Sequence, residues 1–427
     1  MANVVARLSG DEGAGKRLKG IYSICSAHPW VLAAAMNQAL ADDTPLLIES
    51  TSNQVDQFGG YTGMKPADFV RFVHLIADRA GFPRSRLILG GDHLGPNAWR
   101  GLPAEEAMHR AEALIDAYVS AGFTKIHLDT SMSCGGDPVR LPDALVAERA
   151  SRLCAIAEAA AHREGKDQKP VYIIGTEVPV PGGAAETLDT VEVTHAGAAL
   201  DTVEIHRQAW RDRGLDAAWQ RVIALVVQPG VEFDHTKVVD YKPELATELS
   251  GVLKQLPGMV FEAHSTDYQK PEALASLVRD GFAILKVGPG VTFALREVLY
   301  ALADIETELV PVETRSNLRE VVEQVMLSKP GNWEKYYHGD DQQKRLLRTY
   351  SYSDRIRYYW ADPEIDSAAQ KLIRNLTDTG IPENLLSRYL PEQYWQFRRG
   401  LIDASPMSLV QSKVREVIGT YAAACRA

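Results

Sequence analysis

The sequence predicts an α/β protein built on a (β/α)₈ barrel of the TIM type with a C-terminal helical extension, and three observations lead there. Eight short apolar or β-branched runs recur up to residue 288, segments with helical periodicity lie between them, and beyond about residue 310 no further strand signal follows. Strands that alternate with helices form a parallel sheet, and closing that sheet into a barrel removes its exposed edges.

The strand runs are 18–25 (LKGIYSIC), 45–50 (PLLIES), 86–92 (RLILGGD), 123–129 (FTKIHLD), 170–177 (PVYIIGTE), 221–228 (RVIALVVQ), 258–264 (GMVFEAH) and 282–288 (FAILKVG). Helical spacing of apolar residues predicts helices at 66–81, 103–122, 271–281 and 293–309. Several of these begin with proline in the first turn and stop at glycine, which matches the preferences of helix entry and exit. At 427 residues the chain exceeds the roughly 250 of a minimal barrel. The reading divides it into an N-terminal lead-in at 1–17, the barrel at 18–310 and a helical extension at 311–427. That extension is rich in aromatics, as in WEKYYHGDD (333–341) and TYSYSDRIRYYW (349–360), and is expected to cover the barrel or mediate assembly.

Composition narrows the function. Hydrophobic residues make up 45% and charged residues 24%, as in ordinary globular proteins, and no run approaches the roughly 20 apolar residues that cross a bilayer. The first twenty residues lack the apolar core of a signal peptide, so a cytoplasmic location is expected. Cys25, Cys134, Cys154 and Cys425 are scattered without a CxxC pair, which points to reduced thiols. A net charge of −10 argues against nucleic acid as a partner but leaves room for a local basic pocket that takes a phosphorylated substrate. GDEGAGKR at 10–17 resembles a nucleotide-binding P-loop, yet Arg17 stands where a magnesium-binding Ser or Thr is required, and the segment precedes the first strand.

Polar residues at the strand ends carry the functional reading. Parallel strands buried on both faces should be nearly all apolar, so ionisable groups repeated where strands meet their following loops mark the active-site end of a barrel. Here the strands run in order into His28; Glu49; Asp92 and His93; His127 and Asp129; Glu177; Gln228, Glu232 and His235; and Glu262 with His264. Each alone has a structural account as a helix cap or a satisfied hydrogen-bonding group. Their repetition at one end points to a site.

Imidazole nitrogens and carboxylate oxygens suit a divalent metal, zinc first, with manganese or magnesium as alternatives. His93 and His264 are the leading ligand candidates and Glu177 the third, with His235 competing for that place from a loop. At the eighth strand, KVGPGVTFALRE (286–297) sets a glycine turn between strand and helix. Amides at Gly288 and Gly290, with Lys286 and Ser265 nearby, are placed to hold a sugar phosphate, unless the glycines only make a tight turn. Glu49 joins them on the substrate side.

LIESTSNQVDQFGGYTGM (47–64), ILGGDHLGPNAW (88–99), KIHLDTSM (125–132), IGTEVPVPGG (174–183), VVQPGVEFDH (226–235), FEAHSTDYQ (261–269), LKVGPGVTFALRE (285–297) and SYSDRIRYYW (351–360) together resemble the GatZ/KbaZ family over nearly the whole chain. That resemblance implies a barrel related to the zinc-dependent class II aldolases, in which an Asp-His pair at a strand end supplies an acid/base and a zinc ligand. Asp92 and His93 match that pair, and His264 matches a later histidine ligand. Gln228 stands where those aldolases carry a further histidine. Some members resemble non-catalytic partners of an aldolase subunit, and similar proteins invert C4 of ketoses, ketose 6-phosphates or hexuronates.

Inversion at C4 cannot use simple proton abstraction, because the C4 hydrogen is not acidic. Retro-aldol cleavage of C3–C4, rotation of the aldehyde and re-addition achieves it with a metal and a carboxylate base. Transient oxidation would want a dinucleotide, for which the chain has no GxGxxG loop. The expected activity is therefore a metal-dependent ketohexose-phosphate 4-epimerase, interconverting D-tagatose 6-phosphate and D-fructose 6-phosphate. Metal is expected on His93, Glu177 and His264, and Asp92 as acid/base with Glu232 or Asp129 as counterpart. Asp92 and His93 serve one site only if their strand breaks there, since neighbours in a regular strand face opposite sides. The alternatives are an accessory subunit that docks on an aldolase, or a 4-epimerase of an unphosphorylated ketose or hexuronate. A homo-oligomer fits any of them.

Overall fold

A computed structural model describes residues 19–165, 168–176, 178, 183–184 and 191–427 of the protein. The lead-in at 1–17 and Glu177 lie outside the described residues. Eight parallel strands close a barrel: β1 (Ile21–Ile24), β2 (Leu46–Thr51), β3 (Leu87–Leu94), β4 (Lys125–Leu128), β5 (Val171–Ile174), β6 (Val222–Val227), β7 (Val260–Ala263) and β8 (Ile284–Val287). Each pairs with the next in sequence, and β8 pairs with β1 through Ile21 against Ile284. Every strand falls on one of the eight predicted runs, giving the (β/α)₈ TIM barrel with C-terminal helices.

The helices of the barrel are α1 (Pro29–Asp42), α2 (Pro66–Ala80), α3 (Ala104–Ala121), α4 (Asp143–Arg163), α5 (Ala196–Asp212), α6 (Thr247–Gly251), α7 (Pro271–Arg279) and α8 (Pro289–Leu309). The last begins four residues before the predicted 293, because Pro289 occupies the first turn, where its missing N–H costs nothing. Between β6 and α6 an antiparallel pair, Glu232–Phe233 with Val238–Val239, appears that the apolar runs did not signal. Two residues per strand are too few to leave a periodic pattern.

Alternation along the strands sends every second side chain into the barrel. At the N-terminal end these are apolar: Ile21, Leu47, Ile88, Ile173, Val260 and Ile284 belong to one buried cluster. Nearer the C-terminal ends they become charged, and that change of layer is where the site begins.

The C-terminal extension is helical throughout its regular elements, with α9 (Leu318–Ser328), α10 (Asp341–Tyr350), α11 (Pro363–Thr379), α12 (Glu383–Tyr389), α13 (Pro391–Arg398) and α14 (Pro406–Ala424). It covers the barrel. The final helix, α14, packs against α1, α7 and α8, and its end is tied down where the backbone N–H groups of Lys19 and Gly20 donate to Cys425 O at 2.9 and 3.2 Å. Its Tyr421 hydroxyl donates to Thr266 O at 2.6 Å. Segment 351–360 crosses the mouth of the barrel, held where Tyr352 N–H donates to His235 O at 2.9 Å. No described helix is long and apolar enough to cross a membrane.

Candidate active site

Charges inside the barrel form a connected layer. Lys125 Nζ lies 2.7 Å from Glu49 Oε1 and 2.6 Å from Glu262 Oε2, with all three side chains fully buried. The approach to Glu262 Oε2 is off the hydrogen-bonding direction, so that contact is an ion pair alone. Lys286 Nζ lies 2.5 Å from Glu49 Oε2, 2.9 Å from Asp92 Oδ1 and 3.7 Å from Glu262 Oε1. Ser23 Oγ donates to Glu49 Oε2 at 2.6 Å. Among the described residues three carboxylates in this layer thus face two ammonium groups, an excess of one negative charge. Glu49 and Lys286, expected on the substrate side, are placed by these contacts in the buried layer that supports the site.

Above this layer lie three imidazoles. The rings of His93, His127 and His264 stand 4.9 to 5.2 Å apart, centre to centre. The β3 strand breaks where the Asp92-His93 pair requires it to: the β3–β4 register shifts between Gly91 and Leu94, and His93 takes a left-handed backbone at φ 49°. A histidine in that conformation carries backbone strain on the order of 1 kcal/mol. It is what turns both side chains toward one centre. Two glycines around the break permit the close approach. A Cβ on Gly90 would come within 2.7 Å of the Glu49 carboxylate, and one on Gly95 within 1.7 Å of Asp129 O.

Each histidine is oriented by a carboxylate. His93 Nδ1 lies 2.8 Å from Asp129 Oδ2, and its Nε2 3.7 Å from Asp92 Oδ2. Burial would discharge His93, but Asp92 and Asp129 outweigh it and raise the imidazole's pKa. Asp92 is itself buried, which would raise its pKa, yet His93, Lys286 and His127 hold it well below the usual carboxylate range. Burial also pushes on Asp129, and its hydrogen bond to His93 with that ring's charge keeps it low. His127 Nδ1 stands 3.0 Å from Asp92 Oδ1 and accepts from the His93 backbone N–H at 3.1 Å. Those two partners ask for opposite tautomers, the amide for a lone pair on Nδ1 and the carboxylate for a proton there; a proton on Nδ1, facing Asp92, is the form that would leave a lone pair on Nε2 for a cation. That Nε2 is buried and has no hydrogen-bond partner among the described residues. His264 Nε2 lies 2.9 Å from Glu262 Oε1, and burial lowers its pKa to about 4, so the ring is neutral near pH 7.

One donor atom each from Asp92, His127, Glu262 and His264 can be chosen with all four within 4.8 Å of one another. An orphaned imidazole nitrogen, two carboxylates held anionic and an excess negative charge fit a divalent cation. Of the predicted ligands, His264 belongs to this group and His93 stands beside it with Nδ1 committed to Asp129. His127 and Glu262 join the group without having been assigned to it. Their signal was the two-residue spacing of Lys125 with His127 and of Glu262 with His264, which places each pair on the barrel interior.

The phosphate cradle expected at Gly288 and Gly290 is filled by the protein. Both amides donate to Asp267 Oδ1, at 2.9 and 2.7 Å. A carboxylate at the N-terminus of α8 takes the place that a phosphate would need. Ser265, at φ 53°, lines the mouth with Asp92, His93, His264 and Arg357. Glu232 hydrogen-bonds through Ser265 and accepts from Phe233 N–H at 3.0 Å; burial raises its pKa to about 7. His235 turns away to Ser351 Oγ at 3.1 Å and Tyr336 O at 3.0 Å.

A probable tagatose 6 phosphate kinase from Sinorhizobium meliloti 1021 superposes with a TM-score of 0.88 at 53% identity, covering 95% of this chain and all of that one. Two others are distant. The fructuronate-tagaturonate epimerase UxaE from Cohnella laeviribosi gives a TM-score of 0.46 at 11% identity, covering 98% of this chain and 84% of its own. The YdjI aldolase from Escherichia coli K12 gives 0.42 at 12%, covering 84% and 92%. The model of the family D-tagatose-1,6-bisphosphate aldolase subunit GatZ/KbaZ-like matches residues 7–426. With nearly its whole length matched, the chain belongs to the GatZ/KbaZ-like family.

Proposed function

We propose that the protein is a metal-dependent ketohexose-phosphate 4-epimerase that interconverts D-tagatose 6-phosphate and D-fructose 6-phosphate by retro-aldol cleavage and re-addition. The observation that carries this reading is the buried donor group of Asp92, His127, Glu262 and His264 beside the Asp129–His93–Asp92 chain. His127 through Nε2 and His264 would hold the metal, with the Asp92 and Glu262 carboxylates. Zinc suits this mixture of nitrogen and oxygen donors, and manganese is the next candidate. When bound, the metal supplies positive charge against the negative charge that develops at the C2 and C3 oxygens as the C3–C4 bond breaks.

The protein's own groups move the protons. Inversion returns the C4 oxygen on the opposite face, so a proton carrier is wanted on each side of the aldehyde. His93, steadied by Asp129, is one carrier; Asp92 and Asp129 favour its imidazolium, which delivers a proton to the C4 oxygen as the C3–C4 bond re-forms. Asp92, held strongly acidic, is better suited to that electrostatic task than to accepting the proton itself. Glu232, whose carboxyl titrates near neutrality, is the counterpart that takes the C4 hydroxyl proton before cleavage. Closure of the mouth by segment 351–360 keeps water from the carbanionic fragment.

The deciding assay incubates the purified protein with D-tagatose 6-phosphate and couples D-fructose 6-phosphate to an isomerase and a dehydrogenase, with and without chelator. Chelator-sensitive turnover is expected. No turnover with added zinc, manganese or magnesium refutes the epimerase. One finding favours a second reading, namely that the family is described by an aldolase subunit. In that case the chain docks on a class II aldolase, and co-purification with such a partner would accompany the absence of turnover.

A further inference from the structure

We propose that Arg357, carried by the C-terminal segment, anchors the anionic terminus of the sugar substrate, so the barrel's site is incomplete without its extension. The inference rests on the sugar-processing reading above. Arg357 lines the same cavity as Asp92, His93, His264 and Lys286. Among the described residues its hydrogen bonds run to neutral oxygens, namely the backbone carbonyls of Ser353 and Asp354 and the Tyr358 hydroxyl. No carboxylate among the described residues forms an ion pair with it.

Arg355 likewise meets no carboxylate among the described residues, but it donates to Asn332 O and lies over the Tyr336 ring, away from the residues that line the cavity. Arg149, Arg221, Arg296 and Arg348, each largely withdrawn from water, meet Asp137, Glu158, Asp354 and Glu323 respectively. A guanidinium held out of bulk water without a counter-ion is costly, and a bidentate anion offsets that cost. Asp267 lines the same cavity, but its Oδ1 is engaged by Gly288 and Gly290. By filling the helix N-terminus, Asp267 removes the other obvious phosphate site; of the two described Lys and Arg side chains that line the cavity, Lys286 is held by Glu49 and Asp92, and Arg357 is left open to a ligand.

The segment is built to present this side chain. Asp354 sits in a left-handed turn at φ 42°, with its carboxylate receiving Thr292 Oγ1 at 2.6 Å and Arg296 Nε at 3.1 Å. Tyr268 donates its hydroxyl to Tyr352 O at 2.6 Å. Tyr61, from the loop after β2, packs edge-on to Tyr358 with ring centres 4.7 Å apart. Arg357 is thus moored to the loops after β2, β6 and β7 and to α8.

The test measures the thermal stabilisation of the full chain by inorganic phosphate, and by D-glucuronate as a carboxylate-bearing sugar. Wild type, Arg357→Gln, Arg357→Lys and the exposed control Arg345→Gln are compared, with folding verified by circular dichroism. Apparent phosphate affinity should fall about 10- to 100-fold in Arg357→Gln, less in Arg357→Lys, and stay at the wild-type value in Arg345→Gln. In turnover, the preference for D-tagatose 6-phosphate over D-tagatose should collapse in Arg357→Gln, mainly through KM. An Arg357-dependent response to glucuronate alone keeps the anchor and makes its ligand a carboxylate. Equal stabilisation of wild type and Arg357→Gln, or no response of the wild type to either anion, overturns the proposal. Arg357-dependent binding without turnover sinks the epimerase alone, because the binding readout does not require catalysis.

Discussion

Replacing Lys125 with methionine tests whether the charged layer inside the barrel holds the site together. The ammonium bridges Glu49 and Glu262 at 2.7 and 2.6 Å with no solvent access for any of the three. Removing one partner of a buried ion pair costs about 3–5 kcal/mol, because the remaining charge stays out of water. Here the damage is unequal. Glu49 keeps Lys286 and the Ser23 hydroxyl, whereas Glu262 keeps His264 at 2.9 Å and only a distant Lys286 at 3.7 Å. The loss should therefore be about 3–5 kcal/mol in Lys125→Met, and Lys125→Met/Glu262→Gln should regain more of it than Lys125→Met/Glu49→Gln. Urea denaturation followed by far-ultraviolet circular dichroism gives each value, with a common m-value as the control for an unchanged unfolded state. A Lys125→Met protein within 1 kcal/mol of wild type, on the scale of an exposed pair, would refute the argument.

Three other perturbations separate the parts of the site. Glu232→Gln should erase the limb of the pH–activity profile near pH 7; a profile unchanged in shape would remove Glu232 from proton transfer. The same variant bears on stability: a carboxyl raised from 4.5 to about 7 stabilises the fold fully below pH 4.5 and loses that contribution as pH rises through 7. Glu232→Gln should flatten that decline by about 3 kcal/mol in urea titrations between pH 5 and 8. Asp129→Asn leaves His93 without an anionic partner at Nδ1 and should lower kcat about 10²- to 10⁴-fold at unchanged metal content, with a twofold change or less counting against the relay. Gly95→Ala forces a Cβ to within 1.7 Å of Asp129 O, and a melting temperature equal to wild type would show that the β3–β4 contact is looser than described; about 3 kcal/mol or more should be lost.

The fold was legible because the strands are buried on both faces and so write their positions as short apolar runs. Ile21–Ile24, Val171–Ile174 and Val222–Val227 are wholly buried, and the sequence marks each one. The site was legible in outline for a related reason. Charges in an apolar strand have no packing role to hide behind, so Asp92, His93, Asp129 and His264 stand out as residues. Their partners do not, because which carboxylate meets which imidazole depends on barrel register. Lys125 reads as an ordinary polar residue at the start of a strand until closure places Glu49 and Glu262 against it. The amides of Gly288 and Gly290 read as a phosphate site because nothing local reveals that Asp267, twenty-odd residues earlier, occupies them. Arg357 is less visible still. It lies some seventy residues beyond the last strand, in a segment whose aromatic content suggested only covering or assembly.

Whether the chain acts as an enzyme or as a subunit partner turns on the cost of that interior. Glu49, Asp92, Lys125, Glu262 and Lys286 are all buried, and apolar side chains of similar volume would be neutral or more stabilising by about 1–4 kcal/mol in such a layer. A docking subunit needs a surface, and nothing in docking repays a left-handed His93 or an unpartnered His127 Nε2 at the centre of the barrel. The orphaned nitrogen lies where a cation would engage it, and the left-handed His93 is what aims the Asp92-His93 pair at the same point. That correspondence supports an active centre over a relic. It also fixes what metal binding should do to stability: a site strained and electrostatically incomplete without its ion should gain melting temperature when zinc is added, and His127→Ala should abolish that gain while relieving the orphaned nitrogen. If zinc stabilises His127→Ala as much as wild type, the ion binds elsewhere and the interior is structural after all.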